Sequence, residues 1–285
     1  MKKGIKIICV ILLVLAFMGN IAKTIVGSSY YNDSFVEQIK RANRDCPIPV
    51  ANGAGQVSAI KLETLNNAPG KCLSYYIDYK PCNFSKELFS ADPETTKALL
   101  FLSLCCTNAQ RNMGNILIKE LIKRNLNLKV IINNNSNNGI TVVLTPEYLN
   151  EITASSNTTP SDALYEGLKL LLKMQKKSFP IRADQGIVLT DMTLEGNNIV
   201  CYATCDESIY DIEAIGMTSN DIALTLVKEG HTDDEICALL DLCKVSHTGL
   251  VYRYFGVQSG KKADVEISSD LIRKYHKTPS QVSIY

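Results

Sequence analysis

Ten cysteines, three histidines and a few clustered acids are the residues of this 285-residue chain whose types could do chemistry. Nucleophilic catalysis needs a thiol or hydroxyl, a base within hydrogen-bond reach and a third group that orients the base. Cys243 and His247, four positions apart and close to the acidic run Asp233-Asp234-Glu235, supply two of those parts, but no orienting group is visible in the sequence, and Cys243 reads as core or bridge. His231 stands next to a helix cap, His247 in a turn before a strand and His276 in a polar tail, and all three read as exposed structural positions. Asp206-Glu207 closes a strand, while Asp233-Asp234-Glu235 opens a helix where negative charge suits the dipole. P-loop, G-x-G-x-x-G, G-x-S-x-G and H-E-x-x-H patterns do not occur, so no catalytic residue is assigned. A structural zinc site takes ligand pairs at short gaps, and only Cys201 and Cys205 have a usable spacing, so the sequence predicts neither a metal nor a cofactor.

Cysteine chemistry depends on compartment, and the N-terminus sets that. Lys2, Lys3 and Lys6 precede an unbroken apolar run from Ile7 to Met18, the composition of an export signal. The run alone, as a helix, is shorter than a bilayer core. Continued through Ala22, with Lys23 snorkelling and Ile25 and Val26 beyond, it becomes long enough to anchor. Residues 1–28 are therefore read as a signal anchor in the inner or cytoplasmic membrane, with the C-terminal body outside the cytoplasm, because the lysines stay inside. Cleavage near Val26-Gly27-Ser28, giving a secreted or periplasmic protein, is the alternative. Cys9 lies inside the apolar run; nine cysteines follow it in a compartment where pairing is expected. Candidate disulfide cysteines are Cys46 bridging to Cys105 or Cys106, and Cys201 and Cys205 each reaching the helix that carries Cys237 and Cys243. Five cysteines fall in the first half and four in the second, so an unpaired thiol is expected in the first.

The elements that must position these residues come in two copies, from Cys46 to about Ile152 and from Phe179 to about Tyr275. Each opens on an X-Pro pair, Cys46-Pro47 and Phe179-Pro180. An alternating stretch follows, VSAIKLETLNN and IVLTDMTLEGNN, then a strand, CLSYYIDYK and IVCYATCDE, in which Tyr75 is matched with Tyr202. A helical region and a closing hairpin complete each copy. Period-two alternation of Ile60 and Leu62 with Lys61 and Glu63 fits strands with one face on a core, and Asn/Gly-rich turns fit hairpins. Thr232 and Glu235 form a capping box, and Ile236, Leu239, Leu240 and Cys243 a core-facing helical stripe. The predicted fold is α+β: two similar β-β-α-β-β units, each an antiparallel sheet with helices on one face. The predicted organisation is signal segment 1–28, juxtamembrane segment 29–45, first repeat 46–152, linker and connecting helix 153–178, second repeat 179–276 and tail 277–285.

Cys46-Pro47, Tyr75 to Tyr79, Tyr202, the helical cysteines and Leu250-Val251-Tyr252-Arg253-Tyr254 resemble a module of uncharacterised bacterial envelope proteins, carried in one or more copies behind a membrane-targeting segment. Phe179 departs from it where the module's opening Cys would sit. The resemblance implies an envelope location and no activity.

Composition narrows the function further. With 46% apolar and 21% charged residues the chain is globular, and a net charge of +1 argues against nucleic-acid binding as its main work. Tyr252 and Tyr254 share one sheet face at period two, and Tyr202 joins them from the neighbouring strand, giving a candidate binding surface for a protein or glycan. The expectation is a membrane-tethered, non-enzymatic envelope module whose partners are the membrane, through the N-terminal segment, and another envelope protein. An enzyme using Cys243, His247 or the Asp233 cluster, and a pilotin-like assembly factor with a groove for a partner helix, are the alternatives.

Overall fold

The computed structural model describes residues 35–49, 55–64, 71–79, 90–105, 113–134, 139–154, 162–176, 179–230 and 233–276. They fall into two compact units, the first ending before residue 157 and the second beginning after it. The expected signal segment, Tyr30 and Tyr31, Cys82, Cys106, Thr232 and the tail 277–285 lie outside the described residues. Among the described residues no helix is long and apolar enough to cross a membrane.

The first unit runs α1 (Phe35–Arg44), β1 (Ile48–Pro49), β2 (Gly55–Thr64), β3 (Lys71–Tyr79), α2 (Pro93–Cys105), α3 (Met113–Lys123), β4 (Leu126–Asn134), β5 (Gly139–Leu144) and α4 (Pro146–Ala154). Its five strands lie in the order β1-β2-β3-β4-β5. Alternation decides the faces: Val57, Ile60, Leu73, Tyr75, Ile77, Leu128, Val130, Val142 and Leu144 are buried, and the intervening positions carry Lys61, Glu63, Tyr76 and Lys129. Ala98, Leu99, Phe101, Leu102, Leu117, Leu121 and Leu149 bring the helices' apolar sides into the same core.

The second unit follows the same order, with three described helices before its fourth strand where the first has two: α5 (Asp162–Gln175), β6 (Ile181–Asp184), β7 (Ile187–Glu195), β8 (Asn198–Cys205), α6 (Ile212–Met217), α7 (Ser219–Glu229), α8 (Asp234–Ser246), β9 (Gly249–Gly256), β10 (Lys262–Ile267) and α9 (Ser269–Tyr275). The sheet order is β10-β9-β8-β7-β6. Asp211 caps α6, accepting from the backbone N–H groups of Glu213 and Ala214, and Ser268 caps α9. At α8 the cap is Asp233, whose Oδ1 accepts from Ile236 N at 3.1 Å.

The α+β class and the two similar units stand as expected, but neither sheet is wholly antiparallel. β3 pairs with β4, and β8 with β9, in parallel. The helical excursion between the two strands is a long crossover, which returns the chain to the end of the sheet it left, so the next strand runs the same way. Each unit also opens on a helix and a short edge strand. α1 buries Phe35, Ile39 and Ala42, and Asn43 Oδ1 accepts from Ile60 N at 2.9 Å. α5 buries Leu164, Leu168, Leu171 and Leu172, and the Tyr165 hydroxyl donates to Gly196 O at 3.3 Å. The stretches read as juxtamembrane segment and connecting helix thus supply the first helix of each unit.

Local detail repeats as well. β2 has a bulge between Val57 and Ala59, and β7 has one between Leu189 and Asp191. The residue inside each bulge is a hydroxyl, and it bonds across the pair: Ser58 Oγ to Tyr76 O at 3.2 Å, Thr190 Oγ1 to Tyr202 O at 3.3 Å. That register makes Tyr76, not Tyr75, the counterpart of Tyr202, because Tyr75 lies on the buried side with Ile60, whereas Tyr76 and Tyr202 both face outward opposite the bulge. Just before the central parallel pairing, Asn125 and His247 both take positive φ, 51° and 54°. They end α3 and α8 and turn the chain into β4 and β9.

Candidate functional site

The face of the second sheet away from its helices carries a polar ladder across four strands. Arg253 on β9 stands opposite Tyr202 on β8 and Asp264 on β10. Its Nε and Nη2 donate to the Asp264 carboxylate at 3.0–3.2 Å, and Nη1 reaches Glu195 Oε2 on β7 at 3.1 Å. Tyr202 OH donates to Glu195 and lies 3.5 Å from Arg253 Nη1. The guanidinium sits over the Tyr202 ring at 5.6 Å, and Tyr202 stacks on Phe255, with centroids 6.4 Å apart and planes 8° from parallel. Lys262 Nζ lies over Phe255 at 5.8 Å. The hydrogen bond from Tyr202, reinforced by Arg253, holds the Glu195 carboxyl below its ordinary range, and the Asp264 carboxylate pushes Arg253 up. Glu195 is about two-fifths exposed while Arg253 and Asp264 are each about a quarter exposed, so the ladder is a fixed, water-facing pattern of charge flanked by aromatic rings.

The first unit carries the same Tyr–Glu device without the arginine. Tyr76 OH donates to Glu63 Oε1 at 2.7 Å, and that carboxylate pushes the phenol up to about 12. Lys61 lies 5.1 Å over the Tyr76 ring. Where β9 places Arg253, the matching position of β4 is Ile131, so among the described residues the ion ladder belongs to the second unit.

The three tyrosines expected on one surface divide between two. Tyr252 and Tyr254 do share a face, their rings stacked at 6.3 Å, but register sets them opposite Cys201 and Ala203, on the helix side. Tyr254 packs with Cys205, Ile212 and Ala263, and burial pushes both phenols upward. Tyr202 lies on the other face, because adjacent residues of paired strands alternate. The exposed pattern is thus Tyr202, Arg253 and Phe255; the sequence signal for it was Arg253, between the two tyrosines.

Among the described residues no disulfide joins Cys46, Cys72, Cys201, Cys205, Cys237 and Cys243. Cys46 Sγ faces Ala42 O at 3.6 Å; Cys106 and the side chain of Cys105 lie outside the described residues. Cys201 and Cys205 both point into the helix side of β8 and are fully buried. Burial, with Cys243 nearby, pushes the Cys201 thiol up, and burial pushes Cys243 up to about 12. Such thiols stay protonated at neutral pH and are poor nucleophiles. Cys243 Sγ faces Gly249 O at 3.8 Å, and His247 Nδ1 has no hydrogen-bond partner, so the Cys243–His247 pair is not assembled as nucleophile and base.

The acids work structurally. Asp206 accepts from Ser208 N at 2.9 Å, and the Glu207 carboxylate holds the β9–β10 turn through Gln258 N and Ser259 N, each at 2.7 Å, and Ser259 Oγ. His276, expected to be exposed, is 2% exposed, with Nε2 2.8 Å from Asp241 Oδ1. Asp241 Oδ2 lies 4.0 Å from Cys237 Sγ. These three buried residues come from α8 and the end of α9, and sequence spacing gave only half the signal, Cys237 and Asp241 at i, i+4. A cleft of about 670 Å³ in the same unit is lined by Asn220 and Leu224 of α7, Glu266 of β10, and Leu271 and Tyr275 of α9.

No family model matches the chain, and no curated protein matches it. Among solved structures, a protein of Pseudomonas aeruginosa described as secreted is 16% identical, with a TM-score of 0.30 over 37% of this chain and 89% of the other. A likeness of that size bears on neither fold nor function.

Proposed function

We propose that this chain is a non-enzymatic binding module of the bacterial envelope, held at the membrane by its N-terminal segment, whose duplicated α+β body contacts another envelope component. The observation that carries the reading is the Glu195–Tyr202–Arg253–Asp264 ladder with Phe255 on the outer face of the second sheet. Arg and Tyr with their rotamers already fixed lose little entropy on contact, which suits recognition and supplies no proton transfer or nucleophile. The basic flank and apolar run at the N-terminus support the location. The protonated, buried thiols count against the alternative of a thiol enzyme built on Cys243.

The test places a photo-crosslinking residue at Lys262, exposed on the ladder face, or at Met217, exposed on α6, in cells that carry the full chain. An adduct of discrete mass from Lys262, absent from Met217 and lost on Arg253→Ala, is expected. A chain that turns over a substrate and gives no adduct at Lys262 overturns the reading, as does fractionation of the full chain with the cytosol.

A further inference from the structure

Cys237, Asp241 and His276 offer a sulfur, an oxygen and a nitrogen donor that all lie within 4.8 Å of one another, and all three residues are buried. We infer that they form a binding site for a divalent transition metal of the zinc class. Helix geometry brings the first two together: residues i and i+4 of α8 sit one above the other on the same side. The third arrives because α9 packs beside α8 and ends at His276, whose backbone N–H donates to Ile272 O at 2.9 Å.

Several observations point to a cation. A carboxylate 7% exposed is costly in an apolar layer unless it is fully paired, and Asp241 has one hydrogen bond of ordinary length, to His276, plus a long contact to a thiol. His276 Nδ1 is buried and has no hydrogen-bond partner, so it is open to carry the ring hydrogen when Nε2, which faces Asp241 Oδ1, turns to a metal. The donor set also selects the metal. One thiolate, one imidazole and one carboxylate suit Zn²⁺, whereas Ca²⁺ and Mg²⁺ take oxygen shells. Zn–S of about 2.3 Å and Zn–N or Zn–O of about 2.0–2.2 Å place tetrahedral donors roughly 3.3–3.8 Å apart. The observed Nε2–Oδ1 and Sγ–Oδ2 separations, 2.8 and 4.0 Å, bracket that range, and a donor atom from each of the three lies within 4.8 Å of the others.

The proton balance is simple. Binding converts the Cys237 S–H to a metal-bound thiolate and releases that proton to solvent, and the hydrogen between His276 Nε2 and Asp241 Oδ1 passes to Nδ1; thiolate, carboxylate and neutral imidazole then surround the dication with a net charge of zero. Three protein donors leave the fourth tetrahedral position to water. The ion would tie α9 to α8 and so fix the C-terminal end of the second unit.

The test uses the full chain in detergent, stripped with chelator and titrated anaerobically with Co²⁺, followed by competition with Zn²⁺. One equivalent is expected to give a thiolate-to-cobalt charge-transfer band and visible bands of tetrahedral intensity, both abolished by zinc, and zinc should raise the melting temperature. Cys237→Ser should remove the charge-transfer band, His276→Gln should weaken binding at least tenfold, and Cys243→Ser should leave the titration unchanged. Circular dichroism of each variant separates loss of a ligand from loss of fold, and Co²⁺ titration of wild type needs no variant. Absence of a charge-transfer band at one equivalent in wild type overturns the site, as does a band that survives in folded Cys237→Ser.

Discussion

Arg253 is the residue on which the outer face of the second unit depends, since it joins two carboxylates and a tyrosine from three other strands. Its substitution by Ala leaves Asp264 and Glu195 without their cation at positions only partly hydrated. The expected cost is about 1–2 kcal/mol, below that of a fully buried pair because water still reaches Glu195, and it should appear as a lower urea midpoint at unchanged slope. His247 gives a pH signature. Burial, with Arg273 adding to it, holds the imidazole below its ordinary value of 6.5, so the unfolded chain binds a proton that the folded chain refuses. Stability from this residue is therefore present above about pH 6.5 and declines as pH falls through the unfolded value toward the folded one. Asn tolerates the same positive φ and stands at the matching position of the first unit, Asn125, so His247→Asn should fold and show a shallower loss of stability between about pH 7 and 5.5. An equal fall of the urea midpoint with pH in the two proteins would exclude this role. At this scale the residue types were readable, but their surroundings were not. His276 reads as part of a polar tail because Lys277 and Thr278 follow it, and only the packing of α9 against α8 buries it.

At the scale of elements, the bulge in β7 sets which side chains face the helices. With Thr190 in the bulge, Leu189 and Ile187 lie on the helix side opposite Ala203 and Cys205, and Ile187 packs against the α6 cluster. Deleting Thr190 restores plain pairing and turns both residues to the outer face, since side chains alternate at every step. The expected result is a loss on the order of 3 kcal/mol or more, from two apolar side chains moved toward water, measurable by equilibrium unfolding; Thr190→Ala, which keeps the count, should cost less than about 1 kcal/mol. Gly249 tests the start of the central parallel strand. A methyl there overlaps the Asn198 side chain and stands 3.1 Å from Ile267 O, so Gly249→Ala should lower the melting temperature even though the backbone can accept Ala. The strands were legible from alternation and the helices from apolar stripes and caps, because both follow from the local period of side chains. The bulges were not. One added residue leaves no mark in composition yet shifts the register by one.

For the whole molecule, the two units give a prediction about thiols. Cys201, Cys205, Cys237 and Cys243 are buried and unbridged, so iodoacetamide should leave them untouched in the folded chain and label all four in denaturant without reductant. Protection from labelling in non-reducing denaturant would restore the bridges that compartment alone suggested. The sequence by itself determined that this protein is an α+β chain of two similar units with a lysine-flanked apolar start, because composition, period and repetition are properties of neighbours along the chain. Tertiary structure alone decided that the central strands run parallel, that Tyr202 and Tyr252 face opposite ways, and that Cys237, Asp241 and His276 meet. Each of these depends on which distant segments pair and in what register, and contacts between residues tens of positions apart are set by packing of the whole core and not by any local spacing.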